Sequence, residues 1–185
     1  MATKIDFNKF FTLSNIVALS ALFVSVCSLY VSIKEVQTMN VQQSASIYPH
    51  LALQTHYNSE GFELRLVNNG VGLAKIESFT IHVEEDYFRN WLEIADYFFP
   101  DGHGISYSNM RANSIYKSVI PAGEKVVLVG LPWNDETRIL QERAINDLEL
   151  ELCYSSLLGE TWTLTQEENE PRASKCPPSS NIQFK

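Results

Sequence analysis

The feature that most constrains this chain is an uncharged stretch from Leu13 to Ile33, bracketed by Lys9 and Lys34. As a helix, its 21 residues would extend roughly 31 Å, about the thickness of the hydrocarbon core of a bilayer. Buried helices of soluble proteins rarely run this long without a charged residue. The stretch therefore predicts a transmembrane helix over residues 13–33.

A cleaved signal peptide is the main alternative for this stretch. Signal peptides have an apolar region of about 7–15 residues followed by a cleavage site of small residues. The run here is longer, and residues 28–36 make a poor cleavage site, which favours an uncleaved signal-anchor. Lys4 and Lys9 precede the span and only Lys34 follows it closely. The positive-inside rule then predicts a single-pass protein with a cytoplasmic N-terminus and an exported C-terminal domain.

Small residues recur along one side of this helix at spacings of 4, 3, 4, 3 and 4. This is the spacing of a left-handed helix pair, and small side chains let two membrane helices approach closely. One interpretation is a packing seam for another membrane protein or a second copy of this chain. The other is a chance stripe in a helix rich in Ser and Ala. The residues are Ser14, Ala18, Ala21, Ser25, Ser28 and Ser32.

The part of the chain after Lys34 is long enough for one domain with a proper core, and it is acidic. It holds 21 of the 22 acidic residues and 11 of the 14 basic residues, a balance of −10. Such a domain repels phosphate backbones, so we expect no nucleic-acid partner.

Two cysteines, Cys153 and Cys176, lie in this acidic part. If the domain is exported, its compartment is oxidising, and a disulfide between them is a candidate crosslink. The alternative is two unpaired thiols. Cys27 lies within the span, away from the small-residue seam.

The chain divides into five predicted segments. Residues 1–12 are a short cytoplasmic lead, 13–33 the membrane helix, and 34–48 a polar, Gln-containing helical stalk that ends at Tyr48-Pro49. Residues before proline are disfavoured in helices. From 49–165 the pattern is mainly one of alternating strands and turns, and 166–185 is a polar, proline-containing stretch that predicts a flexible tail unless Cys176 ties it down.

This domain has about seven short predicted strands and no alternation of strands with helices. It begins with a hairpin over residues 51–66, has its most apolar strand over 125–131, and ends with a hairpin over 148–165. The pattern predicts an antiparallel, immunoglobulin-like β-sandwich with one or two connecting helices, including one over 135–145.

A second helix is predicted over 86–99, where apolar and polar residues recur with helical period. Its aromatic residues either pack onto the core or form a contact patch for a partner protein. The patch would consist of Trp91, Phe98 and Phe99.

The order of single span, Gln-rich stalk, Tyr48-Pro49 break and Asn68-Asn69-Gly70-Val71-Gly72 turn resembles a widespread type of bacterial membrane-anchored protein with no assigned activity. The resemblance covers roughly residues 20–83. It implies an anchored β-sandwich-like domain in the bacterial inner membrane and brings no catalytic residues.

No nucleotide-binding loop, zinc-protease motif, nucleophile elbow or CxxC pair occurs in the sequence. His82 and His103 lie next to acidic residues, but neither has recognisable partners for catalysis or metal binding. We expect no cofactor and no metal. The sequence therefore favours a non-enzymatic accessory or protein-binding subunit of a membrane complex, in contact with lipid. The alternative is a ligand-sensing domain that signals through a partner's membrane helix.

Overall fold

The computed structural model describes residues 13–177 and 182–185, and the predicted lead over 1–12 lies outside these ranges. The described residues form two compact units, which meet between Ala45 and Ser46. The elements are α1 Leu13–Ser46, β1 Leu51–Tyr57, β2 Gly61–Asn68, β3 Ala74–Val83, β4 Asp86–Phe88, α2 Trp91–Phe98, β5 Arg111–Ala112, β6 Val119–Ile120, β7 Lys125–Pro132, α3 Asp135–Asp147, β8 Glu149–Ser155, β9 Thr161–Thr165 and β10 Arg172–Ala173.

Helix α1 joins the predicted membrane stretch and the predicted stalk into one continuous helix of 34 residues. It is long and apolar enough to cross a membrane, and none of its apolar window is buried. A core helix of a soluble protein would be mostly buried, whereas a membrane anchor or a signal sequence would not. At 1.5 Å per residue the helix is about 51 Å long, of which a bilayer core needs about 30 Å.

The second unit is mainly antiparallel β structure, which confirms the predicted strand class. One sheet has the order β1-β2-β7-β5, and the other has the order β10-β9-β8-β3-β4, with β6 also paired to β3. All pairs are antiparallel, and a register shift interrupts the β2–β7 ladder between Leu64 and Arg65.

Both sheets contribute to one hydrophobic core. Successive side chains of a strand point to opposite faces, so every second residue lies on the inner face, and these residues are mostly apolar. Examples are the pair Leu53–Leu66 of β1 and β2 and the pair Ile81–Leu150 of β3 and β8. The largest fully buried side chains include Tyr154, Phe79, Phe184, Leu51, Leu66 and Ile76.

Asn68, at the end of β2, is fully buried and joins three segments of the chain. Its Oδ1 accepts hydrogen bonds from the backbone N–H of His50 (3.1 Å) and of Gly70 (3.0 Å). Its Nδ2 donates to the carbonyl oxygens of Gly72 (2.7 Å) and Ile120 (3.1 Å). We call Asn68 and these three segments, 47–50, 69–72 and 120–124, the Asn68 junction.

The two glycines of the junction are required by close backbone approach. A Cβ atom at Gly72 would clash with the carbonyl oxygen of Ile47, and one at Gly70 would clash with the backbone of Tyr48 and His50. The carbonyl oxygen of Tyr48 accepts hydrogen bonds from the N–H groups of Val71 and Gly72. The motif Asn68-Asn69-Gly70-Val71-Gly72 therefore holds the segment with which the domain begins.

The helix predicted over 86–99 is wrong in its first third. The chain turns just before this range, with Glu84 at φ 52°, and residues 86–88 return as β4 along the end of β3. Helix α2 starts only after Asn90, whose side chain accepts hydrogen bonds from the backbone N–H of Leu92 and Glu93. Asn90 is a favourable N-cap residue within the stretch of helical period, and the helix begins directly after it.

The stretch 166–185, predicted to be flexible unless Cys176 held it, is attached to the domain at several described residues. Residues 172–173 pair with β9 as β10, and Phe184 is buried against the rings of Phe79 and Trp91 at 5.3 and 4.9 Å between ring centroids. The backbone N–H of Phe184 donates to the carbonyl oxygen of Phe79 (2.9 Å), and Gln183 Oε1 accepts from the N–H of Phe79 (3.0 Å). Because the stretch is mostly polar, its composition did not indicate that Phe184 is buried in the core.

We call the residues after β10 the C-terminal segment. The bonds of Gln183 and Phe184 place this segment beside the middle of β3. Strand β6 pairs with β3 at residues 74–75, and β4 pairs with it at 81–83. The C-terminal segment therefore covers the part of this strand that β4 and β6 leave unpaired, which removes an exposed sheet edge.

We expect Asn68→Ala to lower the free energy of unfolding by about 2–4 kcal/mol, because it leaves two N–H groups and two carbonyl oxygens of the junction unpaired. Asn69→Ala is the matched control, since the side chain of Asn69 is exposed, and we expect a change within about 0.5 kcal/mol. Chemical denaturation followed by circular dichroism measures both. Equal effects of the two substitutions would contradict the role assigned to Asn68.

Candidate functional site

A cavity of about 680 Å³ lies in the second unit and is lined by both sheets and by α3. Its apolar lining comes from alternating inward positions of β1, β2, β3, β7 and β8, joined by side chains of the two helices and of the residue between α3 and β8. These residues are Leu53, Phe62, Leu64, Ile81, Trp91, Val129, Ala144, Leu148 and Leu150. Most of them are buried, so the inner part of the cavity is apolar.

The polar lining of the cavity is more exposed and forms its rim. Side chains of Asn146, Glu149, Glu167 and Asn169 are exposed, and that of Glu151 is half-buried. Alternation along β8 turns Glu149 and Glu151 to the face opposite Leu148 and Leu150, so the cavity extends around the start of this strand. The remaining polar lining residues are Thr55, His82, Gln141, Thr165 and Gln166.

Helix α3 borders the cavity and begins at a strong cap. The side chain of Asn134 accepts from the N–H of Thr137 (2.7 Å), and the hydroxyl of Thr137 accepts from the N–H of Asn134 (2.9 Å). The ring of Trp133 stacks on Tyr57 with centroids 6.2 Å apart, and Arg138 lies over the same indole ring at 5.8 Å. The first turns of α3 are therefore held by packing as well as by hydrogen bonds.

The rest of α3 is held to the sheets by apolar packing and by polar groups. Leu140 is buried in the core, and Ala144 packs against it. Nε2 of Gln141 donates to the hydroxyl of Tyr57 (3.2 Å), and Nε2 of Gln166 donates to the carbonyl oxygen of Ala144 (3.3 Å). Each such bond adds about 1 kcal/mol to the attachment of this wall of the cavity.

The turn between β9 and β10 closes a further side of the cavity. Asn169 has φ 47°, and its side-chain amide pairs with the backbone of Leu53: Oδ1 accepts from the N–H (2.7 Å) and Nδ2 donates to the carbonyl oxygen (2.9 Å). Leu53 belongs to β1, the edge strand of its sheet. The side chain of Asn169 thus connects the two sheets at a place where no backbone hydrogen-bond ladder connects them.

The rim carries negative charge. It includes three glutamates, Glu149, Glu151 and Glu167, together with one histidine, His82, whose Nε2 lies 3.7 Å from a carboxylate oxygen of Glu149. Among the described residues that line the cavity there is no lysine or arginine.

The predicted disulfide partners are joined in the structure. Cys153 and Cys176 form a bond with a Cα–Cα distance of 5.5 Å. Cys153 is fully buried on β8, whereas Cys176 lies beyond β10. The bond attaches the start of the C-terminal segment to a central strand.

The three aromatic residues of the predicted contact patch are half-buried against the core. Trp91 contacts Phe184, Phe98 contacts the ring of Tyr97, and Phe99 contacts His103 at 6.1 Å. Packing against the core therefore buries part of the surface of all three side chains. Their further role as a contact patch stays a prediction.

The six residues of the predicted helix seam all lie in α1 and are exposed. The hydroxyl of Ser25 donates to the carbonyl oxygen of Ala21 (2.8 Å), which satisfies it within the helix. Cys27 is a free, exposed thiol of the same helix.

His82 and His103 make local contacts with the chain around them. Nε2 of His103 contacts a carboxylate oxygen of Asp96 (3.0 Å), while its Nδ1 accepts from the N–H of Ile105 (3.1 Å). Nδ1 of His82 contacts the carbonyl oxygen of Glu84 (3.0 Å). Within residues 13–177 and 182–185, no group of three or more His, Cys, Asp or Glu side chains could hold a metal ion.

Sequence reasoning missed the cavity. The alternation of Leu and Phe along β1, β2 and β8 indicates which side chains face inward. It contains no information on the separation of the two sheets, and this separation determines whether those side chains meet or leave space.

A buried carboxylate, Glu63, lies on the other face of β2. Nε of Arg65 donates to it (2.7 Å), and Arg111 forms a second ion pair with it. The hydrogen bond from Arg65 lowers the pKa of Glu63 below its ordinary value, and the charges of Arg111 and Arg65, with a smaller effect of His56, act in the same direction against the effect of burial.

No known protein family, curated protein or solved structure matches this chain.

The lowered pKa of Glu63 predicts a pH-dependent contribution to stability. The contribution is fully present above the ordinary carboxyl pKa of 4.5 and is lost as the pH falls through the lower pKa of the folded state. We expect Glu63→Gln to lower the free energy of unfolding by about 1 kcal/mol at pH 7. The difference from the unsubstituted protein should shrink below about pH 4.5.

Denaturant titrations at several pH values test this prediction. Glu60→Gln is the matched control, because Glu60 is exposed in the preceding turn. A destabilisation by Glu63→Gln that is independent of pH would show that the effect comes from packing rather than from charge.

Proposed function

We propose that this chain is a non-enzymatic, single-pass membrane protein that works as an accessory or protein-binding subunit of a membrane complex. The observation that carries the proposal is α1, a continuous helix with an exposed, uncharged stretch long enough to cross a bilayer. It anchors the protein in the bacterial inner membrane with the N-terminus in the cytoplasm. The second unit is an exported, immunoglobulin-like β-sandwich.

The continuity of α1 favours an uncleaved membrane anchor over a cleaved signal peptide. It continues without interruption from the uncharged stretch through the polar residues to Ser46. The Tyr48-Pro49 break and the Asn68 junction then begin the folded unit. A cleavable leader would need a short apolar region and an accessible site of small residues.

The disulfide supports export. Disulfides persist in oxidising compartments and are rare in the cytosol. The bond between Cys153 and Cys176 and the positive residues before the span point in the same direction.

Two surfaces support a protein partner. The first is the small-residue seam of α1, whose exposed serines and alanines permit close helix packing in lipid. The second is the aromatic group on α2, where Tyr97 is 44% exposed beside Phe98. Aromatic side chains are enriched at the centres of protein interfaces.

The cavity favours a second candidate, a ligand-sensing domain that signals through a partner's membrane helix. An apolar cavity with a few polar groups at its rim is the common form of a small-molecule site.

Export can be tested with the cysteines. In intact cells that make the full chain, we expect the Cys153–Cys176 bond to be formed and an impermeant thiol reagent to label Cys153 of the variant Cys176→Ser after mild unfolding. The same treatment should leave a cysteine introduced before the span, Ala2→Cys, unlabelled until the cells are opened. Labelling of Ala2→Cys alone would reverse the proposed orientation.

If the small-residue seam of α1 holds a partner helix, substitutions in it should abolish association and leave the protein anchored in the membrane. We expect Ser25→Leu combined with Ser28→Leu to abolish co-purification of a partner or second copy, because leucine prevents close approach of the helix backbones. Val24→Leu combined with Val31→Leu is the matched control, since these residues lie off the seam. Crosslinking in native membranes followed by purification measures both. Unchanged complexes in the seam variant would overturn the seam's role.

A further inference from the structure

We infer that the cavity lined by the two sheets and α3 is a binding site for a single-chain amphiphile with a cationic head group. The inference develops the second candidate function, ligand sensing, and does not depend on the proposed protein partner. It stands on two properties of the cavity: an apolar interior and an acidic rim.

The interior fits an apolar chain. The volume of the whole cavity, rim included, is about 680 Å³, which lies within the range of roughly 300–1,000 Å³ that is usual for small-molecule sites. Phe62, Ile81 and Leu150 present buried apolar surface from both sheets. An apolar chain there would replace contacts that the empty volume lacks, which is favourable for both chain and lining.

The rim selects the head group. A cationic group at the rim would be attracted by Glu149, Glu151 and Glu167, and a carboxylate or phosphate would be repelled by them. No lysine or arginine among the described lining residues could pair with an anionic head. The domain as a whole is acidic, so its long-range field acts in the same sense.

Photolabelling of the full chain in native membranes tests the inference. One probe is a long-chain alkyl amine with a diazirine in its chain, and the second is the carboxylic acid of the same chain. A third is a two-chain phosphatidylethanolamine with the diazirine in one chain. After irradiation, mass spectrometry counts adducts on peptides that carry cavity residues, relative to adducts on the peptide of α1.

We expect the amine to label cavity peptides at least fivefold more than the acid, relative to α1. Leu64→Trp should remove this labelling, because the larger ring fills the cavity from β2, and Ala144→Phe does the same from α3. Leu157→Trp is the matched control for added bulk, since Leu157 is exposed in a turn outside the cavity. Membrane-fraction yield and thermal unfolding show which variants remain folded.

The head-group preference has its own variant. Glu149→Gln combined with Glu167→Gln should reduce the preference for amine over acid by about fivefold, because two rim charges are removed. Glu160→Gln combined with Glu170→Gln removes the same charge from exposed positions outside the cavity and should leave the preference unchanged.

The outcomes separate this inference from the proposed membrane anchor. Absence of cavity adducts with every probe, or equal labelling by amine and acid, overturns the inference. Labelling by the phospholipid in place of the amine overturns the single-chain assignment. Labelled cavity peptides without any α1 adducts would support the cavity site while contradicting the anchor.

Discussion

The hydrogen bonds of Asn68 are the interaction on which the rest of the domain depends. Its side chain and backbone are bonded to the segment before β1, to the turn before β3 and to the turn before β7. Aspartate would lose the two donor bonds of the amide, and no shorter residue reaches all four groups. The two glycines that follow permit the backbone approach that these bonds need. Local turn chemistry at one strand end therefore fixes where both sheets begin.

The domain covers its sheet edges with the ends of its own chain. The C-terminal segment lies beside the middle of β3 with Phe184 in the core, and the disulfide holds the start of that segment to β8. At the other sheet, the side chain of Asn169 pairs with the edge strand β1. Unpaired strand edges promote aggregation, so these contacts protect the folded unit as well as stabilise it.

Much of the fold could be predicted from the sequence, and the exceptions have physical reasons. Alternation is a local property, so it located β1, β2, β7 and β8 closely. The helix predicted over 86–99 was wrong at its start because the periodicity of the aromatic residues spans strand β4 and the cap at Asn90. The C-terminal segment was missed because its attachment is non-local, through Phe184 and Gln183 to Phe79. The cavity depends on the separation of the sheets, which no local pattern encodes.

Strand β1 connects the cavity with the start of the domain. It contributes Leu53 to the cavity lining, carries Tyr57 beneath α3, and begins directly after His50 in the Asn68 junction. Spatial continuity alone does not couple two sites, because coupling needs an element with two arrangements. Helix α3 borders the same cavity, and the bond from Gln141 to Tyr57 joins this helix to β1 itself. A ligand in the cavity would therefore lie against both α3 and the strand that leads to the junction.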